Sequence, residues 1–180
     1  LAQKGALHID HTVTLADDAT RGAAAGRILK SIKHRPFEER QRLVSSFCDR
    51  VGHRLPDDLM MTSAQVREMA NAGMEIGAHT MTHPILRTLP DESARSEIAR
   101  SRQALEGIVG RPVRLFAYPN GRPGEDYTTR DRDVVESLGF DAAMSTTWGA
   151  ASRDSDLYQL PRFTPWDHAS SRWFGRLMMA

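Results

Sequence analysis

"MEIGAHTMTHPIL", residues 74–86, carries the pattern on which the reading of this chain turns: a short apolar run, two histidines four apart, and a proline. The run "MEIGAH" suits a β-strand that ends at His79. A strand end followed by a compact turn can aim two imidazoles at one point, and neutral imidazole is a good ligand for zinc. Gly77 would let another backbone pass closely, and Pro84 would stiffen the exit from the turn. On these residues alone two readings stay open: His79 and His83 as metal ligands, or as two surface histidines in a loop.

Working outward, "MTSAQVREMANAG" reads as a short helix with Thr62 and Gln65 in capping-box spacing and a stop at Gly73. After the histidines, "DESARSEIARSRQALEGIVG" is the clearest helix, with Ile98, Leu105, Ile108 and Val109 on one stripe and Gly110 at its end. "VRLFAYP" then reads as a buried strand. The unit repeats with a helix in "DYTTRDRDVVESLG", whose Val134, Val135 and Leu138 face inward, and a strand in "FDAAMSTTWG". "LYQLPRFTP" reads as a last extended segment, irregular at Pro161. Helices alternating with short apolar strands predict a parallel α/β architecture, in which functional groups gather beyond the strand C-termini. His79, Tyr118–Gly121 and Ser145–Gly149 all fall at such ends.

Upstream, the first third reads as helical. Asp17, Asp18 and Thr20 offer caps before "RGAAAGRILKSIK", which Gly22 and Gly26 weaken, and a second helix begins near Pro36 with Leu43, Phe47 and Val51 on one face. "RLPDDL" follows as a loop.

Composition narrows the function classes. Hydrophobic residues make up 40% of the 180 and charged residues 26%, which is ordinary for a globular domain with a real core and excludes a disordered tail. The formal charge is +1, so no global field recruits nucleic acid or an anionic membrane, and "RILKSIKHRPFEERQR" reads as solvated helix faces. The single cysteine, Cys48, excludes an internal disulfide framework and a cysteine-based zinc knuckle, and packing is its expected role. No apolar run reaches the roughly 18 residues of a membrane span.

The second chemical element is "LFAYPNG", residues 115–121. A strand ending in Tyr-Pro-Asn-Gly places a proline-fixed turn at the edge, and the backbone N–H of Asn120 or Gly121 could serve as an oxyanion donor. A plain turn after a buried strand is the alternative.

Taken together, "IGAHTMTHPIL", a helix and "LFAYPNG" resemble the polysaccharide deacetylase family, the NodB-homology domains of carbohydrate esterase family 4. "HTMTHP" fits the family's H-[ST]-x-x-H-P pattern, and "FAYPNG" resembles the variant of its second motif found in branches acting on exopolysaccharides. The resemblance runs from about Leu59 to Trp166. It implies a partial, distorted (β/α) barrel of the NodB-homology type over residues 59–180, with residues 1–58 as a helical insertion. It also implies metal-assisted removal of N-acetyl groups from an N-acetylated polysaccharide or oligosaccharide. A divalent ion, zinc by preference, would be held by His79, His83 and an aspartate. Asn120 would supply the oxyanion donor, and Tyr118, Pro119 and Trp148 would line the substrate groove.

The chain departs from the family at several positions. The family's T-F-D-D-G stretch, which supplies the metal-binding aspartate and the catalytic base, has no counterpart before His79. "TLADDATRG" offers Asp17 and Asp18 as a pair, but they open a helix and read as caps. The expectation is therefore that the family's first strands lie upstream of Leu1. Where many members carry an arginine to orient the base this chain has Ala117, and Arg162 in "QLPRF" is the candidate replacement, against a surface salt bridge. No leucine-x-histidine motif follows; His168 is the candidate acid, against an exposed loop histidine. Trp166 is a second candidate for sugar stacking, against core packing. The competing function class is a catalytically silent carbohydrate-binding or scaffold protein of the same fold. Nucleic-acid binding lacks both the charge and the motif. Polymer, compartment and oligomeric state are not written in the sequence.

Overall fold

The structure is a computed structural model, and it describes residues 6–9, 11–14, 17–33, 35–52, 58–163, 172 and 174–175. Trp166, His168 and most of the "RLPDDL" loop lie outside the described residues. The chain divides into two compact units, 1–56 and 57–180.

The first unit opens with a hairpin that the helical reading of this third did not anticipate. β1 (Ala6–Ile9) pairs antiparallel with β2 (His11–Thr14), with Ala6 opposite Thr14 and Ile9 opposite His11. The β-branched residues Ile9, Thr12, Val13 and Thr14 favour extended backbone, which accounts for the pairing. Helix α1 (Asp18–Ile32) follows, capped by the Asp17 side chain in a reciprocal box with Thr20 that overcomes the cost of Gly22 and Gly26. Helix α2 (Phe37–Val51) starts after Pro36 and stops at Gly52 in the left-handed conformation. Cys48 in α2 is half-buried.

The second unit carries the sheet. Helix α3 (Ser63–Asn71) has Thr62 as N-cap, with the Gln65 amide closing the box. Helix α4 (Asp91–Val109) ends at Gly110, φ 70°. Strand β3 (Leu115–Ala117) runs parallel to β4 (Ala142–Met144), with helix α5 (Thr129–Ser137) between them in sequence. Two isolated parallel bridges extend this pair, Ala78 to Phe116 on one side and Met144 to Leu160 on the other. The order across the sheet is thus Ala78, β3, β4, Leu160, which is also chain order, as expected of successive crossover units.

"MEIGAH" is accordingly extended but paired only at Ala78, whose N–H and carbonyl bond Leu115 and Ala117 at 2.8 and 2.9 Å. Met74 and Glu75 are exposed, so little burial rewards a longer ladder there. Gly77 is required by the close approach: a Cβ on it would lie 3.3 Å from the Leu115 carbonyl oxygen. "LYQLPRF" forms a single 3-10 turn at Leu157–Gln159 before Leu160 joins the sheet.

The core lies between the sheet and α4 and α5, around Ile98, Val113, Phe116, Tyr118, Val135 and Phe140. Burying each large side chain contributes about 1.5–3 kcal/mol. The assembly is a mixed helix and strand fold, as the alternating pattern predicts, whose sheet is small and not closed among the described residues.

Candidate functional site

The histidines leave the sheet at its carboxyl edge. Strand pairing at Ala78 positions His79, whose Nδ1 lies 2.6 Å from the Ala117 carbonyl oxygen. A carbonyl can only accept, so Nδ1 carries the proton and Nε2 keeps its lone pair for a ligand. Ala117 thus acts on the histidine through its backbone carbonyl. The His83 ring stands 4.9 Å from that of His79, centre to centre, at 75°. Two imidazoles on one tetrahedral zinc, each bonded at about 2.0–2.1 Å, place their ring centres roughly 5 Å apart. The centre-to-centre distance of the pair matches that spacing. Among the described residues no group of three His, Cys, Asp or Glu side chains could hold a metal ion.

The turn between the histidines is backbone-strained. Thr80 and His83 have φ of 64° and 54°, and among the described residues the only other non-glycine with positive φ is Asn120, at 58°. Such conformations cost about 1–3 kcal/mol each and persist where the surroundings over-determine them. Here the surroundings are Glu97 of α4. One carboxylate oxygen accepts from the N–H groups of Met81 and Thr82, both at 2.9 Å, and the other from the Thr82 hydroxyl at 3.0 Å. Glu97 went unread in the sequence. Its signal was a charged residue beside the buried stripe of Ala94, Ile98 and Ser101.

Beyond the turn, the Arg130 guanidinium donates to the carbonyls of Leu86 and Leu89, at 2.9 and 2.8 Å, and to the buried Asp131 carboxylate. Asp131 also caps α5 through the Thr128 N–H at 2.8 Å. This network, also unread in the sequence, fixes the exit from "HTMTHPIL" against α5.

The Tyr-Pro-Asn-Gly turn buries the two residues expected to line a substrate groove, Tyr118 and Pro119. Tyr118 is 2% exposed, stacked on Tyr127 with ring centres 3.7 Å apart, and its hydroxyl donates to the Tyr158 carbonyl at 2.9 Å. Burial pushes its phenol far above the ordinary value. Pro119 is likewise fully buried. Both side chains belong to the core, just beyond the end of β3.

Gly121 is also spent. Its N–H bonds the Pro119 carbonyl at 2.7 Å across Asn120, a three-residue turn, while its own carbonyl and that of Asn120 accept from the Thr146 N–H and hydroxyl. A Cβ on Gly121 would meet Thr146 at 2.9 Å. Asn120 is left as the candidate donor, since none of the described residues accepts from its N–H.

Past β4, Trp148 is 47% exposed with one edge against Phe163, ring centres 5.9 Å apart. Arg162 bonds the Thr147 carbonyl through its N–H at 2.8 Å, and its exposed side chain makes no ion pair with any described residue. Asp17 and Asp18 sit in the first unit. Thr20 holds the Asp17 carboxyl below its ordinary range as a cap, and Arg21 does the same for Asp18 as an ion pair.

Known proteins share this architecture. The solved structure of the Streptococcus pyogenes deacetylase PplD in complex with acetate matches with a TM-score of 0.55 and 26% identity, over 59% of this chain and 46% of that one. A polysaccharide deacetylase from Bacillus cereus matches with a TM-score of 0.57 and 20% identity, over 67% and 37% of the two chains, which supports the fold. In sequence, the chain is 32% identical over 102 residues to YxkH of Bacillus subtilis (strain 168), which bears a polysaccharide deacetylase name, covering 57% of this chain and 35% of that one. The chain thus spans about a third to a half the length of these relatives. The polysaccharide deacetylase family model matches residues 43–143, starting within α2 and taking in both histidines and the Tyr-Pro-Asn-Gly turn. That match covers more than half of the 180 residues, and the chain belongs to the polysaccharide deacetylase family, a family of hydrolases.

Proposed function

We propose that this chain contributes the histidine half of a metal-dependent active site that removes N-acetyl groups from an N-acetylated polysaccharide. The observation that carries the reading is the paired imidazoles, 4.9 Å apart, with His79 Nδ1 tied to the Ala117 carbonyl so that Nε2 keeps its lone pair. His79 and His83 would hold a divalent ion, zinc by preference, which when bound supplies Lewis acidity toward the acetyl carbonyl and toward water.

The chain's own residues divide the remaining work. The Asn120 N–H would donate to the carbonyl oxygen as it gains negative charge. Trp148 would lie along a sugar face, as exposed aromatic rings do with apolar C–H surfaces. Arg162 would meet the carboxylate that removes a proton from water, a role for which Glu97 is already engaged by Met81 and Thr82. The third metal ligand and that base are assigned to segments of a longer protein, in keeping with the 35% share of YxkH that this chain spans. Residues 1–58 would be a helical insertion segment, and 59–180 the C-terminal part of the catalytic domain.

A silent, carbohydrate-binding reading is favoured by one observation: two imidazoles without a third ligand among the described residues. Acetate release from an N-acetylglucosamine oligomer, with and without zinc, separates the two. The 180-residue chain should hydrolyse almost nothing and a chain extended upstream should turn over. Without its base, an enzyme forfeits about 10²- to 10⁴-fold. Equal rates in the two chains would overturn the division of the site and return Asp17 and Asp18 as candidates. No zinc-dependent release from either would favour the silent reading.

A further inference from the structure

We infer that Glu97 is a positioning residue for the histidine pair, an inference that rests on the reading of His79 and His83 as metal ligands. Met81 and Thr82 lie between two residues held at positive φ, Thr80 and His83. Left alone, such a turn relaxes to an ordinary one and swings His83 away from His79. The three hydrogen bonds from Met81 and Thr82 to a single carboxylate oppose that relaxation, and because the acceptor is anionic they are about twice as strong as neutral ones.

The platform is rigid. Glu97 lies in the middle of the 19-residue α4, between the fully buried Ala94 and Ile98, so its Cα is fixed by the core. The order of control is then α4, Glu97, the Met81–Thr82 backbone, and finally the distance between two rings. Outer partners of this kind, one bond removed from the ligand, typically tune metal affinity 10- to 100-fold, about the range expected here.

Three variants of the 180-residue chain, Glu97→Ala, Glu97→Gln and the double change His79→Ala/His83→Ala, test this beside the parent. Zinc is titrated while the imidazole ¹H–¹⁵N resonances of His79 and His83 are followed, and amide exchange is read at Met81 and Thr82. Alanine is the best helix former, so α4 and the thermal midpoint should survive Glu97→Ala. The expected result is faster exchange at both amides and an apparent zinc Kd raised about 10-fold or more. Glu97→Gln, whose amide oxygen can still accept from both N–H groups, should recover much of the loss. Unchanged zinc affinity in Glu97→Ala, with the parent binding, would overturn the positioning role and leave the ligand reading intact. A parent that binds no better than the double histidine variant would overturn both.

Discussion

The histidine turn at residues 79–83 exposes its chemical side chains and is held from beneath by Glu97, whereas the turn at 118–121 buries Tyr118, Pro119 and Gly121 and leaves the Asn120 backbone at the edge. Both follow adjacent parallel segments of one sheet, and both carry a non-glycine residue at positive φ. The difference teaches that a strand-end turn contributes chemistry in two ways. One presents functional side chains on a braced backbone. The other packs its side chains away so that the backbone itself is the functional group.

The largest expected break in this comparison is on the side-chain turn. In an active deacetylase chain carrying these residues, His79→Ala or His83→Ala should reduce acetate release to the background rate. The thermal midpoint should barely move, because both residues are exposed and such changes usually stay within about 0.5 kcal/mol. Retained turnover in either variant would show that the pair is not the metal site.

Next in size is the backbone turn. Asn120→Pro removes the N–H and cannot adopt φ of 58°, so a loss of about 10²- to 10³-fold in kcat is expected. Asn120→Gly keeps the N–H and accepts that φ freely, and should stay near the parent rate. A comparable loss in the glycine variant would assign the role to the Asn120 side chain and erase the contrast.

A smaller effect is expected at Tyr118. Tyr118→Phe loses the bond to the Tyr158 carbonyl and should cost about 1 kcal/mol in denaturant unfolding, with KM unchanged in an active chain. A raised KM at unchanged stability would make Tyr118 a substrate contact after all.

The smallest effect is electrostatic and lies behind the second turn. The Arg132 guanidinium, bonded to both oxygens, with Gln159 and the Tyr158 N–H adding to it, depresses Asp156 to about 2. A carboxylate depressed on folding stabilises above its unfolded pKa and loses that contribution as pH falls through the folded value. The gap in thermal midpoint between the parent and Asp156→Asn should therefore close between about pH 4 and pH 2. A gap constant over that window would remove Asp156 from the acid response.

Much of the second unit is legible in sequence because its signals are local. Thr62 with Gln65 marks a helix start, Gly110 a stop, and Val134, Val135 and Leu138 an inward face, and α3, α4 and α5 form where those residues predict. The β1–β2 hairpin was missed because residues 6–14 are too few for alternation to outweigh the helices beside them. At the site, the histidines are legible from spacing. Glu97 and Arg130 are not, since the backbone partners named above lie 15–16 and 41–44 residues away in sequence. The burial of Tyr118 was not legible for a related reason: a strand-end position predicts the edge of the sheet, while the face its side chain takes is decided by packing against Phe116, Tyr127 and Tyr158.

The central claim is that the two imidazoles converge on one divalent ion. The most direct measurement is an anomalous difference map at the zinc edge from crystals of this chain soaked in zinc. The account predicts one peak about 2.0–2.1 Å from His79 Nε2 and from a ring nitrogen of His83, with His79 Nδ1 still on the Ala117 carbonyl. Zinc elsewhere, with the two rings turned apart, would contradict it.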